Sequence, residues 1–258
     1  MKEKIYTIPV TEVFAIECEC PVCLLEKKLE DEYIGYFLGA SLMEPDCRIV
    51  TNDSGFCRRH FELLYNRQEN RLGLGLTIDT HLQEQIGKLE DIYGSNLDRS
   101  KGSSKKSFIK YLTGKMSSSP SDSEKLADEV LSFLNSLESK CSVCNKLDHT
   151  MDRYMDVIMY LWSREADFKR LFNTKKGFCM KHFKQMLEAT RKYLKPGDVQ
   201  EFTNKLIQMQ LINLARVQQE VDWFTKKFDY RNNDAPWENS KDALIRSIQK
   251  LVGYCDLK

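Results

Sequence analysis

Eight side chains in this chain have types and spacings that suit a metal ion. Cys20-Pro21-Val22-Cys23 is followed by Gly55-Phe56-Cys57-Arg58-Arg59-His60-Phe61, with 33 residues between Cys23 and Cys57. Cys141-Ser142-Val143-Cys144 is followed by Gly177-Phe178-Cys179-Met180-Lys181-His182-Phe183, with 34 residues between Cys144 and Cys179. The shared pattern is C-x-x-C, a long gap, then G-F-C-x-[RK]-H-F. A C-x-x-C turn presents two sulfurs on one side of a tight loop. Cys and His at i, i+3 on a helix start face the same way. The partial positive charge of a helix N-terminus favours the thiolate there, and Gly55 supplies the close backbone approach before the helix.

Three thiolates and one imidazole form a Cys₃His set, a tetrahedral zinc shell. Reading each copy as self-contained predicts Cys20, Cys23, Cys57 and His60 at one centre. It predicts Cys141, Cys144, Cys179 and His182 at the other, with two zinc ions in all. The same spacings are compatible with a crossed pairing, one copy's C-x-x-C completing the other copy's C-x-x-H. An iron–sulfur cluster is the alternative cofactor, disfavoured by the histidine. Dithiol redox catalysis needs a βαβ context around C-x-x-C, and the sequence shows none. No loop suited to an oxyanion hole accompanies the Cys/His pairs, so nucleophilic catalysis has no support. Cys18, Cys47 and Cys255 have no counterpart in the other copy and are left outside both centres.

The elements that carry these residues read as helices. Apolar residues recur at three- and four-residue steps from Leu24 to Phe37 and from Leu147 to Trp162, again after His60 and His182, and over Leu74–Tyr93 and Val199–Phe228. The fold class expected is all-α: two tandem three-helix repeats, each with a Cys₃His site, plus a C-terminal arm and helix. The repeats are expected at 1–93 and 124–228. A Ser- and Lys-rich linker over 94–123 carries a short helix near Phe108, Ile109, Tyr111 and Leu112. The remainder, 229–258, is an arm and an amphipathic helix capped by Ser240. Ile5–Val10 reads as a short strand or extended arm, and Glu44–Ser54 and Asn173–Lys176 as connections. The arm through Tyr230 and Trp237 reads as packed on the body with Trp237 buried. His81 and His149 read as exposed or capping residues, and Met151, Met155 and Met159 as core.

Composition narrows the function. The chain has 258 residues, 41% hydrophobic and 30% charged, with a formal charge of +1. That balance argues against a nucleic-acid partner. No run approaches the ~20 apolar residues of a membrane span, and no secretory leader is visible. A cytoplasmic location follows, where clustered cysteines serve as metal ligands more than as disulfides. Gly73-Leu74-Gly75 lacks the strand and third glycine of a dinucleotide loop.

Two function classes remain. One is a non-enzymatic zinc protein acting as a cytosolic adaptor, regulator or assembly factor on a protein or small-molecule partner that the sequence does not identify. The other is an iron–sulfur or redox-active metalloenzyme, with a pocket near the motif helices roofed by the Tyr230–Trp237 arm.

The opening Met1–Val10, Cys18-Glu19-Cys20-Pro21-Val22-Cys23, Gly55-Phe56-Cys57 with His60, Asn70-Arg71-Leu72-Gly73-Leu74, and Asp229-Tyr230-Arg231 through Pro236-Trp237 to Ser240-Lys241-Asp242-Ala243-Leu244 carry a resemblance over the whole chain. The sequence resembles an uncharacterised family of anaerobic Firmicutes proteins, a domain of unknown function. The resemblance implies no activity. An anaerobic host would favour the iron–sulfur alternative somewhat.

Overall fold

The computed structural model describes residues 6–102, 120–255 and 257. Eleven α-helices and no strand occur among the described residues. They are α1 (Thr7–Ala15), α2 (Pro21–Leu38), α3 (Pro45–Ser54), α4 (Arg58–Arg67), α5 (Arg71–Gly102), α6 (Pro120–Glu138), α7 (Ser142–Arg164), α8 (Ala166–Asn173), α9 (Met180–Tyr193), α10 (Pro196–Lys226) and α11 (Ala243–Val252). The expected all-α class is what the structure shows. No helix among the described residues is long and apolar enough to cross a membrane.

The chain forms two compact units. One comprises 1–31 and 147–258, the other 32–146. Each unit takes chain from both sequence copies, and the boundaries fall inside α2 and α7.

In the discontinuous unit, Val10, Val13 and Phe14 of α1 are buried. Phe14 packs on Phe168 and Phe172 at centroid separations of 5.0 and 5.9 Å. The cluster continues through Phe172–Phe178, Phe172–Phe202 and Trp162–Phe202 at 5.7, 5.4 and 4.9 Å. Phe178, the motif phenylalanine of the second copy, is fully enclosed. The methionine stripe Met151, Met155 and Met159 is core, as its helical spacing suggests.

In the continuous unit, Ile34, Phe37, Leu38, Phe56, Leu64, Leu74 and Val143 form the core together with Cys141. The motif phenylalanine Phe56 stands edge-on to Phe37 and Phe61, at 5.2 and 5.4 Å. Each G-F-C motif thus uses its aromatic ring as the bolt that fixes its cysteine.

Several local expectations are corrected. From Thr7 onward the segment expected to be a strand or arm is helix α1; Ile5 lies outside the described residues, as do Phe108, Ile109, Tyr111 and Leu112. The expected connection at Glu44–Ser54 is helix α3, opened by Pro45 at its first turn. Its Ile, Val, Thr, Asn and Asp are weak helix formers, so packing on α5 sustains it. Helix α5 runs to Gly102 and α6 starts at Pro120, both inside the expected linker. Ser240 does not cap α11. Its hydroxyl donates to Trp237 O at 2.6 Å, and the helix begins after Asp242.

The arm wraps the end of α10. Buried Lys227 donates to Asn233 O and Ala235 O at 2.9 and 2.6 Å, and Trp223 Nε1 donates to Pro236 O at 3.0 Å. Trp237 is half-buried against Phe224, less enclosed than expected.

Truncating the enclosed ring should cost much of a domain's stability. Phe178→Ala is expected to lower unfolding free energy by about 3–5 kcal/mol, measured by denaturant titration of the metal-loaded protein. A change below about 1 kcal/mol would show that the ring does not anchor its motif.

Candidate metal centres

Each ligand pair sits at the start of a helix. Cys20 and Cys23 open α2, and Cys141 and Cys144 open α7. Cys57 and Cys179 are the N-caps of α4 and α9, with nearly equal backbone angles (φ −71°, ψ 165° and φ −70°, ψ 162°). The glycines two residues earlier adopt φ of +54° (Gly55) and +79° (Gly177), which only glycine takes without strain. A long helix, α5 in one unit and α10 in the other, closes on each glycine. A Cβ on Gly55 would lie 2.6 Å from the His81 ring, and one on Gly177 would lie 2.8 Å from Gln210 Oε1.

The pairing is crossed. Cys20, Cys23, Cys179 and His182 bring one ligand atom each within 4.8 Å of one another, and so do Cys57, His60, Cys141 and Cys144. This corrects the within-copy sets. The cause is helix length. Phe56 docks on Phe37, fourteen residues along α2 from Cys23, about 21 Å at 1.5 Å per residue. The G-F-C-x-x-H of one copy meets the C-x-x-C of the other.

The first centre lies in the discontinuous unit, and its four side chains are all buried. His182 Nδ1 stands 3.5, 3.3 and 3.2 Å from the sulfurs of Cys20, Cys23 and Cys179. The sulfurs of Cys23 and Cys179 are 3.6 Å apart. The other ring nitrogen of His182 is 3.2 Å from Glu26 Oε2, and Lys181 Nζ is 2.5 Å from Glu26 Oε1. A carboxylate behind a ligating imidazole fixes its orientation and raises its basicity.

Lys250, 1% exposed, reaches in from α11. It donates to Glu19 O at 2.7 Å and Lys176 O at 2.5 Å, the carbonyls just before the two knuckles. Its charge is met by the Glu19 carboxylate at 3.1 Å, which Arg216 also grips at 2.7 and 2.9 Å. Gln210 adds a two-way amide bond to Phe178, accepting from N at 2.9 Å and donating to O at 2.8 Å.

The second centre lies in the continuous unit. His60 Nδ1 is 3.1, 3.2 and 3.4 Å from the sulfurs of Cys57, Cys141 and Cys144. Cys141 and His60 are buried, Cys57 and Cys144 partly exposed. Ser142 N donates to Gly55 O at 3.0 Å, joining the two knuckles. Asp53 adds ion pairs to Lys140 and Lys88 at 3.1 and 2.6 Å. The end of α3 is held by α5, through His81 Nδ1 and Gln85 Nε2, each 2.7 Å from Asn52 O. His81, read as exposed or capping, is thus a half-buried structural contact.

Without an ion, the gathered groups compete for protons. Burial pushes the Cys20 thiol well up. Contacts from Cys20, Cys23 and His182 pull Cys179 far down. Burial works against a charged His182, yet Cys179, Cys23 and Glu26 raise it to about 11. At the second centre burial raises Cys141, but His60 and the backbone amides of Cys144 and Cys57 bring it to about 6. Burial and then the neighbouring Cys141 raise Cys144. Such groups release protons when a divalent cation replaces them.

All nine cysteines are free, and Cys18, Cys47 and Cys255 join neither centre. A cleft of about 470 Å³ lies between α7 and α9, walled by Asp148, Asp152, Glu188 and Lys192 over Met151 and Met155. The Tyr230–Trp237 arm does not line it. Glu26, Gln210, Lys250 and the contact of His81 carried no signal in the motif spacing; Glu26 alone, one turn after Cys23, lay within reach of such an argument.

Over residues 1–258 the chain matches the model of DUF6062, a family of unknown function, and belongs to that family. Comparison with curated proteins and with solved structures returns no match.

If Glu26 orients His182, Glu26→Gln should weaken metal binding at the first centre by about 10–100-fold and leave the second unchanged, read by chelator competition. Equal affinity at both centres before and after the substitution would remove Glu26 from the account.

Proposed function

We propose that this DUF6062 protein is a structural zinc protein that holds two ions and serves as a cytosolic adaptor, regulator or assembly factor rather than as an enzyme. The observation that carries the reading is the donor set. Each centre gathers three sulfurs and one imidazole nitrogen within 4.8 Å, which suits a tetrahedral ion and leaves no ligand position for substrate. Soft sulfur with imidazole selects zinc over magnesium or calcium, which take oxygen donors. Both imidazoles present Nδ1 to the sulfurs.

When bound, zinc supplies a fixed tetrahedral crosslink between chain segments far apart in sequence. The chain's own residues do the rest. Phe56 and Phe178 seat the knuckles, the Glu26 carboxylate stands behind the outer nitrogen of His182, and Lys250 and Ser142 tie the paired loops together. A closed shell without an open coordination position favours a role played by surfaces rather than by turnover.

Metal analysis of anaerobically purified protein tests this. The expected result is two zinc per chain in a colourless protein, with chelation lowering the melting temperature sharply. Brown protein absorbing near 400 nm would replace the reading with an iron–sulfur centre.

A further inference from the structure

The two centres share a ligand set but differ in access, and that difference has a chemical consequence. At the first, Cys20 and Cys23 are each 6% exposed, and Cys179 and His182 are fully enclosed. The end of α11 closes over the sulfurs. A Cβ on Gly253 would lie 3.6 Å from Cys179 Sγ and 3.8 Å from Cys23 Sγ. At the second, Cys57 and Cys144 are both partly exposed, and their sulfurs stand 3.9 Å apart. Sulfur spacing alone does not separate the centres, since Cys23 and Cys179 are as close. Access does. Oxidation of cysteine follows thiolate character and exposure.

Resting on the zinc reading above, we propose that the second centre is a peroxide-sensitive, exchangeable site at which Cys57 and Cys144 are the oxidised pair, while the first centre keeps its ion. The chemistry balances. One sulfur attacks the peroxide, the O–O bond breaks, and a sulfenic acid forms with release of one water after protonation. The second thiolate displaces the sulfenic hydroxyl, which leaves as a second water on taking up a proton. Two thiolates, one hydrogen peroxide and two protons give one disulfide and two waters. Both electrons come from sulfur and end on the peroxide oxygens.

The ion then faces only Cys141 and His60 and is released. The new S–S bond joins the α4 knuckle to α7, so the unit exchanges a metal crosslink for a covalent one. A reductant with zinc reverses the exchange.

The test uses full-length, zinc-loaded chain carrying Cys18→Ser, Cys47→Ser and Cys255→Ser, which removes the thiols outside both centres. Zinc content is measured first, so that failure of the zinc reading shows itself as chain without two ions before any oxidant is added. Hydrogen peroxide is then added with a chromogenic chelator, and disulfides are mapped by peptide mass spectrometry. The expected result is release of one ion per chain, on the order of tenfold faster than the other, with a Cys57–Cys144 disulfide and unmodified Cys20, Cys23 and Cys179. Loss of both ions at one rate, loss from the first centre first, or no disulfide at Cys57 overturns the proposal while leaving the zinc reading intact. Restoration of two ions by dithiothreitol and zinc is expected; irreversible loss would also count against an exchangeable site.

Discussion

Convergence of a C-x-x-C turn from one sequence copy with a C-x-x-H helix start from the other is the constraint on which the architecture depends. Four donors must meet within 4.8 Å, twice. A first helix of eighteen or twenty-three residues separates each C-x-x-C from the rest of its own copy. The chain therefore closes each centre with the other copy's motif, and each compact unit takes chain from both sequence copies. A structural zinc held by such a donor set would contribute on the order of 10 kcal/mol apparent per site. A domain's entire stability is about 5–15 kcal/mol. Two such ions would be comparable to the whole net stability of a domain, which is itself a small difference between much larger opposing terms.

Around each centre the supports are alike in role and unlike in residue. A positive-φ glycine precedes each capping cysteine, and a buried phenylalanine lies between them. The long helices α5 and α10 then reach back with a polar side chain, His81 through Asn52 in one unit and Gln210 through Phe178 in the other. The first centre carries further layers, Glu26 behind the imidazole and Lys250 spanning two backbone carbonyls. A buried ammonium is tolerable there because the Glu19 carboxylate faces it and the two carbonyls accept its hydrogen bonds. The second centre has a ladder of ion pairs at its rim instead, from Lys140 and Lys88 to Asp53. This asymmetry of cover separates a locked crosslink from an accessible one.

Much of this was legible in the amino-acid order. The helical class, all eight gathered side chains, the glycine's part in the knuckle and the methionine core follow from residue type and period. The partner of each half-site did not, because spacing along the chain says nothing about which end of a helix the next motif docks on. That choice is made by packing, Phe56 against Phe37 and Phe178 against Phe172. Helix α3 was missed because its residues, Ile49, Val50, Thr51, Asn52 and Asp53, favour other conformations until α5 supports them. Ser240 looks like a cap by type, yet its hydroxyl is taken by Trp237 O. Lys250 gave no signal because a lysine on an amphipathic helix ordinarily faces water.

Which cysteines answer to one another is the most direct check on the account. Cys20→Ser chain, loaded with zinc and pulsed with an alkylating reagent, should expose Cys179 to modification and leave Cys57 protected, as peptide mass spectrometry would record. Modification of Cys57 with Cys179 still protected would mean that each copy closes its own centre, and the crossed architecture would be wrong.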